Sequence, residues 1–230
     1  MGLIGGSYGK ALRRLGVKKI IGVDTDGKVL RQAQEQAVID EALCGAGPGL
    51  QAADVVICSV YPAATLDFVK SAVPFLQSDV LITDATGIKG SLPEDVQRLL
   101  TGRMEFIAGH PMAGRQGSGL GMSQAEIFDG ANYIVVPAAF NSSGAIEWVS
   151  SFAGAIGCGQ VVQVDAVEHD RIIAYTSNLP HALAVALINS ASYNDILLPA
   201  VFAMEQGSQI SIRIYGAICF WRTGKTFCRN

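Results

Sequence analysis

Short apolar runs alternate with segments of helical character over residues 1–165. The apolar runs are almost continuously hydrophobic, which is typical of strands buried on both faces of a sheet. They cover residues 20–23, 55–60, 80–83, 106–108, 133–136 and 161–164. The helical segments between them cover residues 8–15, 28–36, 63–75, 93–100 and 143–155. This alternation predicts an α/β fold with right-handed crossovers and a doubly wound parallel sheet.

The strand-like runs stop after Asp165. Residues 166–191 are mostly apolar with few glycines or prolines, and they predict a long buried helix that Pro180 kinks or breaks. A second helix is expected over residues 197–206. We therefore expect a C-terminal all-helical domain over residues 166–230, with the domain boundary near Asp165.

The composition narrows the class of protein. Half of the 230 residues are hydrophobic and only 16% are charged, which excludes a disordered chain. The formal net charge is -3, and no basic cluster is present to neutralise nucleic-acid phosphates, so we expect no nucleic-acid partner. No apolar stretch reaches membrane-spanning length and the N-terminus lacks the pattern of a signal peptide, so we expect a cytoplasmic protein.

Five cysteines are scattered along the chain without a C-x-x-C pair, at Cys44, Cys58, Cys158, Cys219 and Cys228. This spacing is typical of reduced thiols in a cytoplasmic protein rather than of a disulfide framework or a zinc site. We therefore expect no metal.

The chain begins M-G-L-I-G-G-S and continues as a helical segment. Gly2 and Gly5 fit the second and third glycines of a dinucleotide fingerprint, G-x-G-x-x-G. Gly2 would let the backbone approach a pyrophosphate, and Gly5 would let the helix pack closely on the sheet. We expect Gly2, Leu3, Ile4 and Gly5 to hold the cofactor, because amide groups and the dipole of a helix start attract phosphate. The alternative is a short glycine-rich start that binds no nucleotide.

Asp24 ends the strand predicted at residues 20–23 and follows the glycine loop at the spacing of a ribose-binding acid. Such an acid hydrogen-bonds the ribose hydroxyls of NAD and repels the 2′-phosphate of NADP. No arginine follows Asp24 directly, so NAD is favoured, and residues 1–165 are interpreted as a Rossmann-like NAD-binding domain. The alternative is that Asp24 only caps the next helix or shapes the turn at residues 24–27.

The first strand of such a sheet, with the first glycine of the fingerprint, would precede Met1. That strand is central, so buried backbone groups would be unpaired without it. Two explanations are open: the chain is a shortened version of a longer protein, or another segment fills the gap. Ile210, Ile212 and Ile214 alternate with polar residues like a strand and are the candidate for that segment.

One of the three histidines directly follows a predicted strand. His110 lies in G-H-P-M-A-G-R-Q-G-S-G, after residues 106–108. Ligands bind at the carboxyl ends of strands in α/β sheets, and a neutral imidazole accepts a proton from an alcohol near pH 7. His110 is therefore a candidate general base, and the alternative is a histidine that only hydrogen-bonds its loop.

These motifs, in their order along the chain, resemble those of the prephenate dehydrogenase family. The resemblance runs from residue 2 to about residue 190 through G-L-I-G-G-S, V-D, L-I-T-D-A-T-G-I-K-G, G-H-P-M-A-G and E-H-D-R-I-I-A-Y-T-S-N-L-P-H-A-L-A. Arogenate and cyclohexadienyl dehydrogenases share it. It implies an NAD-dependent oxidoreductase of tyrosine biosynthesis that converts prephenate to 4-hydroxyphenylpyruvate, CO2 and NADH.

The resemblance also implies roles for particular residues. His110 matches the catalytic histidine of the family. His181, in L-P-H-A, matches a substrate-site histidine on the helical domain, and its alternative is a histidine satisfied in the core. Ser59, Val60 and Tyr61 end a strand and would line the cofactor cleft.

Further matches lie at the turns around His110. Asp84 and Lys89 flank the turn that follows the strand at residues 80–83. His169 and Asp170 lie at the domain junction, where Asp170 either orients another group or has a structural role.

Several positions depart from the family pattern. Members often carry serine in place of Gly87, and we expect Thr86 to supply the catalytic hydroxyl instead. Many have glutamate in place of Gln116 and histidine in place of Asn178, and we expect these two residues at the substrate site.

The arginine that binds the substrate carboxylate lies, in the family, in an F-R-D-x-T-R-like segment that is not found here. Arg213 and Arg222 are present, but neither stands in such a motif. The helices that build the family's homodimer are also missing. The helical domain over residues 166–230 is therefore expected to be incomplete, and a homodimer stays open for this chain.

Three functions are left to weigh. The first is an NAD-dependent prephenate or arogenate dehydrogenase, and the second is a catalytically impaired member that keeps the nucleotide-binding fold. The third is another two-domain NAD(P) oxidoreductase, such as a 3-hydroxyacid dehydrogenase or a pyrroline-carboxylate reductase. Those share the glycine loop but lack H-P-M-A-G paired with L-P-H-A, so the first is favoured.

Overall fold

A single eight-stranded sheet forms the centre of the molecule, in a computed structural model that describes residues 1–190 and 217–220. Its strands run in the order β2-β1-β8-β3-β4-β5-β6-β7. They are β1 (Ile20–Val23), β2 (Glu41–Leu43), β3 (Val55–Cys58), β4 (Leu81–Asp84), β5 (Glu105–Pro111), β6 (Asn132–Val136), β7 (Gln160–Gln163) and β8 (Ala217–Phe220). Six of these strands were predicted within a few residues, and β2 and β8 were not.

Helices cover both faces of the sheet, as the doubly wound fold predicts. They are α1 (Leu3–Arg14), α2 (Gly27–Glu35), α3 (Pro62–Ala72), α4 (Leu92–Gln97), α5 (Ser143–Ala155), α6 (Ala166–Ile173) and α7 (Leu179–Ser190). One hydrophobic cluster joins the sheet to Tyr8 of α1 and Phe152 of α5. The other joins it to Val69 of α3, Val96 of α4 and Ile173 of α6. The Rossmann-like layer architecture expected from the sequence is therefore present.

The sheet is mixed rather than wholly parallel, which corrects one prediction. β1–β2, β3–β4, β4–β5 and β6–β7 are parallel pairs, whereas β5–β6 is antiparallel. A parallel pair needs a crossover, which is usually a helix. Residues 112–131 contain only two short 3-10 turns, at Leu120–Met122 and Ala125–Phe128, so the chain returns to the sheet in the opposite direction.

β8 occupies the gap between β1 and β3 and runs antiparallel to both. Ile21 pairs with Cys219 in the register of β1, and Ile57 pairs with Ile218 in the register of β3. The backbone groups that face the gap therefore find partners. The strand candidate at residues 210–214 and the helix expected at residues 197–206 lie outside the described residues.

The helical segment after β7 has a local change of winding where a proline was expected to disturb it. α6 is followed by a π-helical turn at Ala174–Asn178, and α7 begins one residue before Pro180. Proline lacks the amide that an α-helix needs, and its ring crowds the preceding turn, so a wider turn next to Pro180 relieves the conflict. The domain boundary near Asp165 stays a prediction.

β5 extends beyond its predicted range and carries His110 within the sheet. His110 pairs with Ile134 of β6, and the Met112 amide donates to the Asn132 carbonyl at 2.8 Å. The expectation that His110 lies in a loop is therefore wrong. A Cβ at Gly109 would collide with the buried Tyr133 hydroxyl, so glycine is needed where β5 crosses that side chain.

Two further observations concern the described part of the chain alone. Within it, no helix has the length and apolar character needed to cross a membrane. Nor do residues 1–190 and 217–220 contain a group of three histidine, cysteine or acidic side chains arranged to hold a metal ion.

Candidate functional site

The start of α1 forms one side of a cleft at the carboxyl edge of the sheet. Gly2 is the N-cap of α1 in an extended conformation, and no side chain caps the helix. Amide groups of the first turn lack an intrahelical acceptor and carry the positive end of the helix dipole, so this turn suits an anion. This geometry fits the expected phosphate site at Gly2, Leu3, Ile4 and Gly5.

A cavity of about 200 Å³ opens beside this helix start. Its lining residues come from α1 and from the turns that follow β3 and β4: Ile4, Ser59, Val60, Tyr61, Pro62, Ala85, Thr86 and Gly87. It brings together Ile4, Thr86 and all three residues expected from the turn after β3. The buried Ser59 hydroxyl has no hydrogen-bond partner among the described residues.

Asp24 follows β1 and is only 4% exposed. One carboxylate oxygen accepts a hydrogen bond from the Asp26 amide at 2.9 Å, and the other contacts the Met1 amino group. Asp24 therefore shapes its turn, as one alternative proposed. It does not cap α2, because Asp26 does so by accepting from the Lys28 amide at 2.8 Å. The ribose role of Asp24 stays a prediction.

A line of three side chains leads from α6 to the base candidate on β5. The His110 Nδ1 lies 2.9 Å from the His169 Nε2, and the His169 Nδ1 lies 2.7 Å from the Asp170 Oδ1. The Asp170 carboxylate also accepts the amides of Lys89 at 2.9 Å and Gly90 at 2.8 Å. The alternative in which His110 only hydrogen-bonds its loop does not hold, because its described partner is a side chain 59 residues away.

The other ring nitrogen of His110, Nε2, lies beside Gly87. A Cβ at Gly87 would lie 3.7 Å from the His110 Nε2 and Cε1, which is ordinary van der Waals contact. Among the described residues, no hydrogen bond engages this Nε2. Gly87 also lines the cavity beside α1, so the free nitrogen lies next to one residue of the wall of the space in which we expect the cofactor.

A buried ion pair lies under the same turn. The Lys89 ammonium contacts the Asp84 carboxylate at 2.8 Å and donates to the Gly109 carbonyl at 2.7 Å. Asp84 in turn accepts the Gly109 amide at 2.9 Å. Both polar groups of the residue before His110 are thus held by one charge pair, which fixes the backbone that carries the imidazole.

Thr86 belongs to this buried network. Its hydroxyl donates to the Asp84 carboxylate and accepts from the Lys89 ammonium at 3.1 Å. The hydroxyl is therefore engaged by the ion pair rather than by His110. Its expected catalytic role stays a prediction.

Burial keeps both histidines neutral near pH 7. Burial, together with the charge of Lys89 and the proximity of His169, lowers the pKa of His110 to about 4. Burial also lowers the pKa of His169, against the opposing effect of Asp170. For Asp170, burial acts to raise the pKa, but the amides of Lys89 and Gly90 and the His169 imidazole hold it below its usual value. Burial lowers the pKa of Lys89 despite the neighbouring Asp84 carboxylate.

The expected substrate-binding residues are exposed. His181 and Asn178 lie on the helical segment after β7, and Gln116 lies in the loop after β5. The His181 Nδ1 donates to the Ser177 carbonyl at 2.8 Å. His181 is therefore not a buried core histidine, and the described contacts do not bring these three residues to His110.

Sequence reasoning noted His169 and Asp170 but did not connect them to His110. The sequence signal that could have indicated this connection is the adjacency of His169 and Asp170 in E-H-D, since a carboxylate next to a histidine can orient its imidazole. The 2.9 Å contact between His110 and His169 joins β5 to α6 and depends on tertiary packing that no periodic pattern encodes.

Comparison with known proteins gives a consistent result. The family model described as "Prephenate dehydrogenase, nucleotide-binding domain" matches residues 8–162. The prephenate dehydrogenase of Bacillus subtilis is 29% identical over 209 residues, which are 90% of this chain and 56% of the relative. That of Lactococcus lactis is 31% identical over 196 residues, which are 82% of this chain and 51% of the relative. The chain thus spans about half the length of these relatives.

Solved structures show the same similarity. Prephenate dehydrogenase from Aquifex aeolicus, in complex with hydroxyphenyl propionate and NAD+, superposes with a TM-score of 0.82 at 27% identity, covering 91% of this chain and 77% of that one. Arogenate dehydrogenase from Synechocystis superposes with a TM-score of 0.74 at 27% identity, covering 88% of this chain and 72% of that one. With the family model spanning most of the described sheet, the chain belongs to the prephenate dehydrogenase family.

Proposed function

We propose that this chain binds NAD and oxidises prephenate, as a prephenate dehydrogenase of the cytoplasm. The observation that carries the proposal is the free Nε2 of His110, which lies beside Gly87, a residue in the wall of the cavity at the uncapped start of α1. A nucleotide site and a neutral base are therefore adjacent at the carboxyl edge of the sheet, where α/β enzymes bind their ligands.

The cofactor site consists of the residues expected from the sequence. The first turn of α1 (Gly2, Leu3, Ile4 and Gly5) would hold the pyrophosphate, and Asp24 would meet the ribose. Ser59, Val60 and Tyr61 would line the opposite wall. When bound, NAD supplies the hydride acceptor.

His110 moves the proton of the reaction. Its Nε2 takes the proton of the ring hydroxyl of prephenate as the hydride leaves the ring carbon that bears this hydroxyl. The ring carboxylate then leaves as CO2, and its bonding electrons complete the aromatic ring and return charge to the oxygen. His110 gives the proton back to that oxygen, so the products are 4-hydroxyphenylpyruvate, CO2 and NADH.

The substrate side of the site extends onto the helical segment. His181, Asn178 and Gln116 would contact prephenate. His181 and Asn178 would do so from a helical substrate and dimerisation domain over residues 166–230, and Gln116 from the loop after β5. Arogenate is the second candidate substrate, since a Zymomonas mobilis relative, 28% identical over 194 residues, is a cyclohexadienyl dehydrogenase and a structural neighbour is an arogenate dehydrogenase.

The test is NADH formation at 340 nm by the purified chain, with prephenate or arogenate and with NAD or NADP. We expect turnover with prephenate and NAD. Turnover with arogenate alone would replace the substrate assignment. Absence of turnover, in a sample that is folded by circular dichroism and binds NADH by fluorescence, would favour the catalytically impaired alternative.

A further inference from the structure

A continuous hydrogen-bonded line connects a carboxylate on α6 to the imidazole on β5. It runs from Asp170 through His169 to His110, over contacts of 2.7 and 2.9 Å. His169 is fully buried, so water does not compete for either of its ring nitrogens. The reaction described above uses only the far end of this line.

The direction of each hydrogen bond follows from the carboxylate end. Asp170 accepts two backbone amides, from Lys89 and Gly90, and these contacts favour its ionised form, which can only accept. The His169 Nδ1 must therefore carry the proton that lies between it and Asp170. A neutral His169 then has a bare Nε2, which can only accept.

The same reasoning fixes the next imidazole. The bare Nε2 of His169 requires His110 to donate from its Nδ1 across the 2.9 Å contact. A neutral His110 is then protonated at Nδ1 and bare at Nε2. The bare nitrogen is the one that faces the space beside Gly87.

We propose that Asp170 and His169 are positioning residues that hold His110 in the tautomer with an unprotonated Nε2 beside Gly87. The proposal rests on the proposed function only for the identity of the base. Without this line, His110 could place its proton on Nε2, and that tautomer cannot accept a proton from substrate. The carboxylate of Asp170 also stabilises, through His169, the imidazolium that forms when Nε2 accepts the proton.

The hydrogen-bonded line from Asp170 to His110 connects α6 to the turn after β4 and to β5. Asp170 belongs to α6, whereas the amides that hold it belong to the turn after β4, which carries the Lys89 ammonium under His110. Correct docking of α6 on the sheet therefore sets the protonation pattern of a residue on β5. This couples the helical segment after β7 to the base.

The tautomer can be measured directly without turnover. The chain contains three histidines, so selective 15N labelling of histidine gives three imidazole spectra, which single substitutions assign. At pH 7 we expect His110 and His169 to show a protonated Nδ1 and a bare Nε2. An Nε2-protonated His110 in the unsubstituted chain would overturn the proposal, whatever the enzymatic activity.

Substitution of Asp170, at the carboxylate end of the hydrogen-bonded line, gives a second test of the proposal. In Asp170→Ala, His169 can turn its proton toward His110, and we expect the His110 spectrum to shift to the Nε2-protonated form. We expect kcat to fall roughly 10²-fold, the lower end of a general-base contribution, with KM and NADH affinity nearly unchanged. Added formate should restore part of kcat, because the Asp170 site is partly open, with 29% of its side chain exposed.

His169→Phe tests the middle of the line, and Glu168→Gln is the matched control. Phenylalanine fills the space but accepts no hydrogen bond, so the Nδ1-protonated form of His110 should lose its preference. Glu168 lies on the same turn of α6 and pairs with Arg171 at 2.8 Å, so its neutralisation should change neither the spectrum nor kcat. Unchanged His110 spectra in both Asp170→Ala and His169→Phe would refute the positioning role.

The two hypotheses fail in different ways. If the unsubstituted chain shows the expected tautomers but forms no NADH with any substrate, the proposed function fails and the positioning role stands. If the chain is active but Asp170→Ala retains full kcat and the original His110 spectrum, the proposed function stands and the positioning role fails.

Discussion

The two sides of the candidate site differ in how strongly their side chains are held. On the sheet side, His110 is fixed by His169, and its backbone is fixed by the Asp84–Lys89 ion pair. On the helical side, His181 and Asn178 are exposed, and the described contact of the His181 ring is to the carbonyl one turn earlier.

In the proposed function, this difference separates the residues of the chemical step from the residues that recognise the substrate. Proton transfer needs an imidazole whose tautomer and position are set in advance, and burial of the surrounding polar network provides this rigidity. Substrate recognition by exposed side chains does not require those side chains to be held by buried contacts of the fold. Substitutions on the sheet side should therefore alter kcat or stability, whereas substitutions of the exposed His181 and Asn178 should alter KM alone.

The largest effect is expected from His110→Asn. Asparagine keeps a polar group of similar reach but cannot act as a base, so kcat should fall by roughly 10²–10⁴-fold. The affinity for NADH, measured by fluorescence titration, should stay within about twofold, since the role proposed for His110 is in the chemical step. Equal losses of kcat and NADH affinity would mean that His110 supports the cofactor cleft instead.

The pH dependence sharpens the same point. Because burial lowers the pKa of His110 to about 4, Nε2 is bare throughout the neutral range. kcat/KM should therefore stay flat on the acid side until about pH 5 and fall as the pH drops through 4. The same lowered pKa also affects folding. The free energy of unfolding should decrease as the pH is lowered from about 6.5 to 4, because the His110 side chain of the unfolded chain binds a proton at a higher pH than that of the folded chain. An acid limb centred near 6.5, or an NMR titration of His110 at that value, would contradict this.

Lys89→Met should produce the largest loss of stability. It leaves the Asp84 carboxylate buried without its cation, which costs about 3–5 kcal/mol of unfolding free energy. Lys70→Met, on the exposed face of α3, is the matched control and should change stability by less than about 0.5 kcal/mol. Urea unfolding followed by circular dichroism measures both. Similar values for the two variants would show that the ion pair does not organise the sheet side.

Local sequence signals predicted much of this sheet side. β1 and α5 match their predicted ranges because each has a clear pattern and α5 a capping Ser142, whose hydroxyl accepts the Ala145 amide. β5 was predicted too short, since Gly109 and Pro111 resemble a loop and only pairing with β6 keeps them in the sheet.

Tertiary features were harder to predict. The direction of β6 could not be read from its residues, because hydrophobic periodicity is the same for parallel and antiparallel strands. The tail around β8 has no clear period, and its place in the sheet follows from backbone groups of β1 and β3 that need partners. For the site, motifs identified His110 and the cleft, whereas the line to Asp170 depends on how α6 docks.

A smaller effect is expected at the cofactor end of the sheet side. Asp24→Ala should weaken NAD binding roughly 10–100-fold, the range of a hydrogen bond to a charged group, and should weaken NADP binding less. Asp26→Ala is the control, because it removes the side-chain cap of α2, worth about 0.5–2 kcal/mol of stability, but keeps the Asp24 carboxylate and the Asp26 amide that donates to it. Isothermal titration with both nucleotides measures the preference. An unchanged NAD to NADP ratio in Asp24→Ala would remove Asp24 from the ribose site.

The smallest structural effect, and the sharpest contrast, is expected from His181→Ala. His181 is exposed, so unfolding free energy should change by less than about 0.5 kcal/mol. Loss of one substrate hydrogen bond should raise KM up to about tenfold with kcat nearly unchanged. Thr176→Ala, an exposed position whose hydroxyl bonds the Ile172 carbonyl at 2.8 Å, is the control and should leave KM unaltered. A large loss of kcat in His181→Ala would instead place this histidine with the reacting atoms, and the division between a rigid chemical side and an exposed recognition side would not hold.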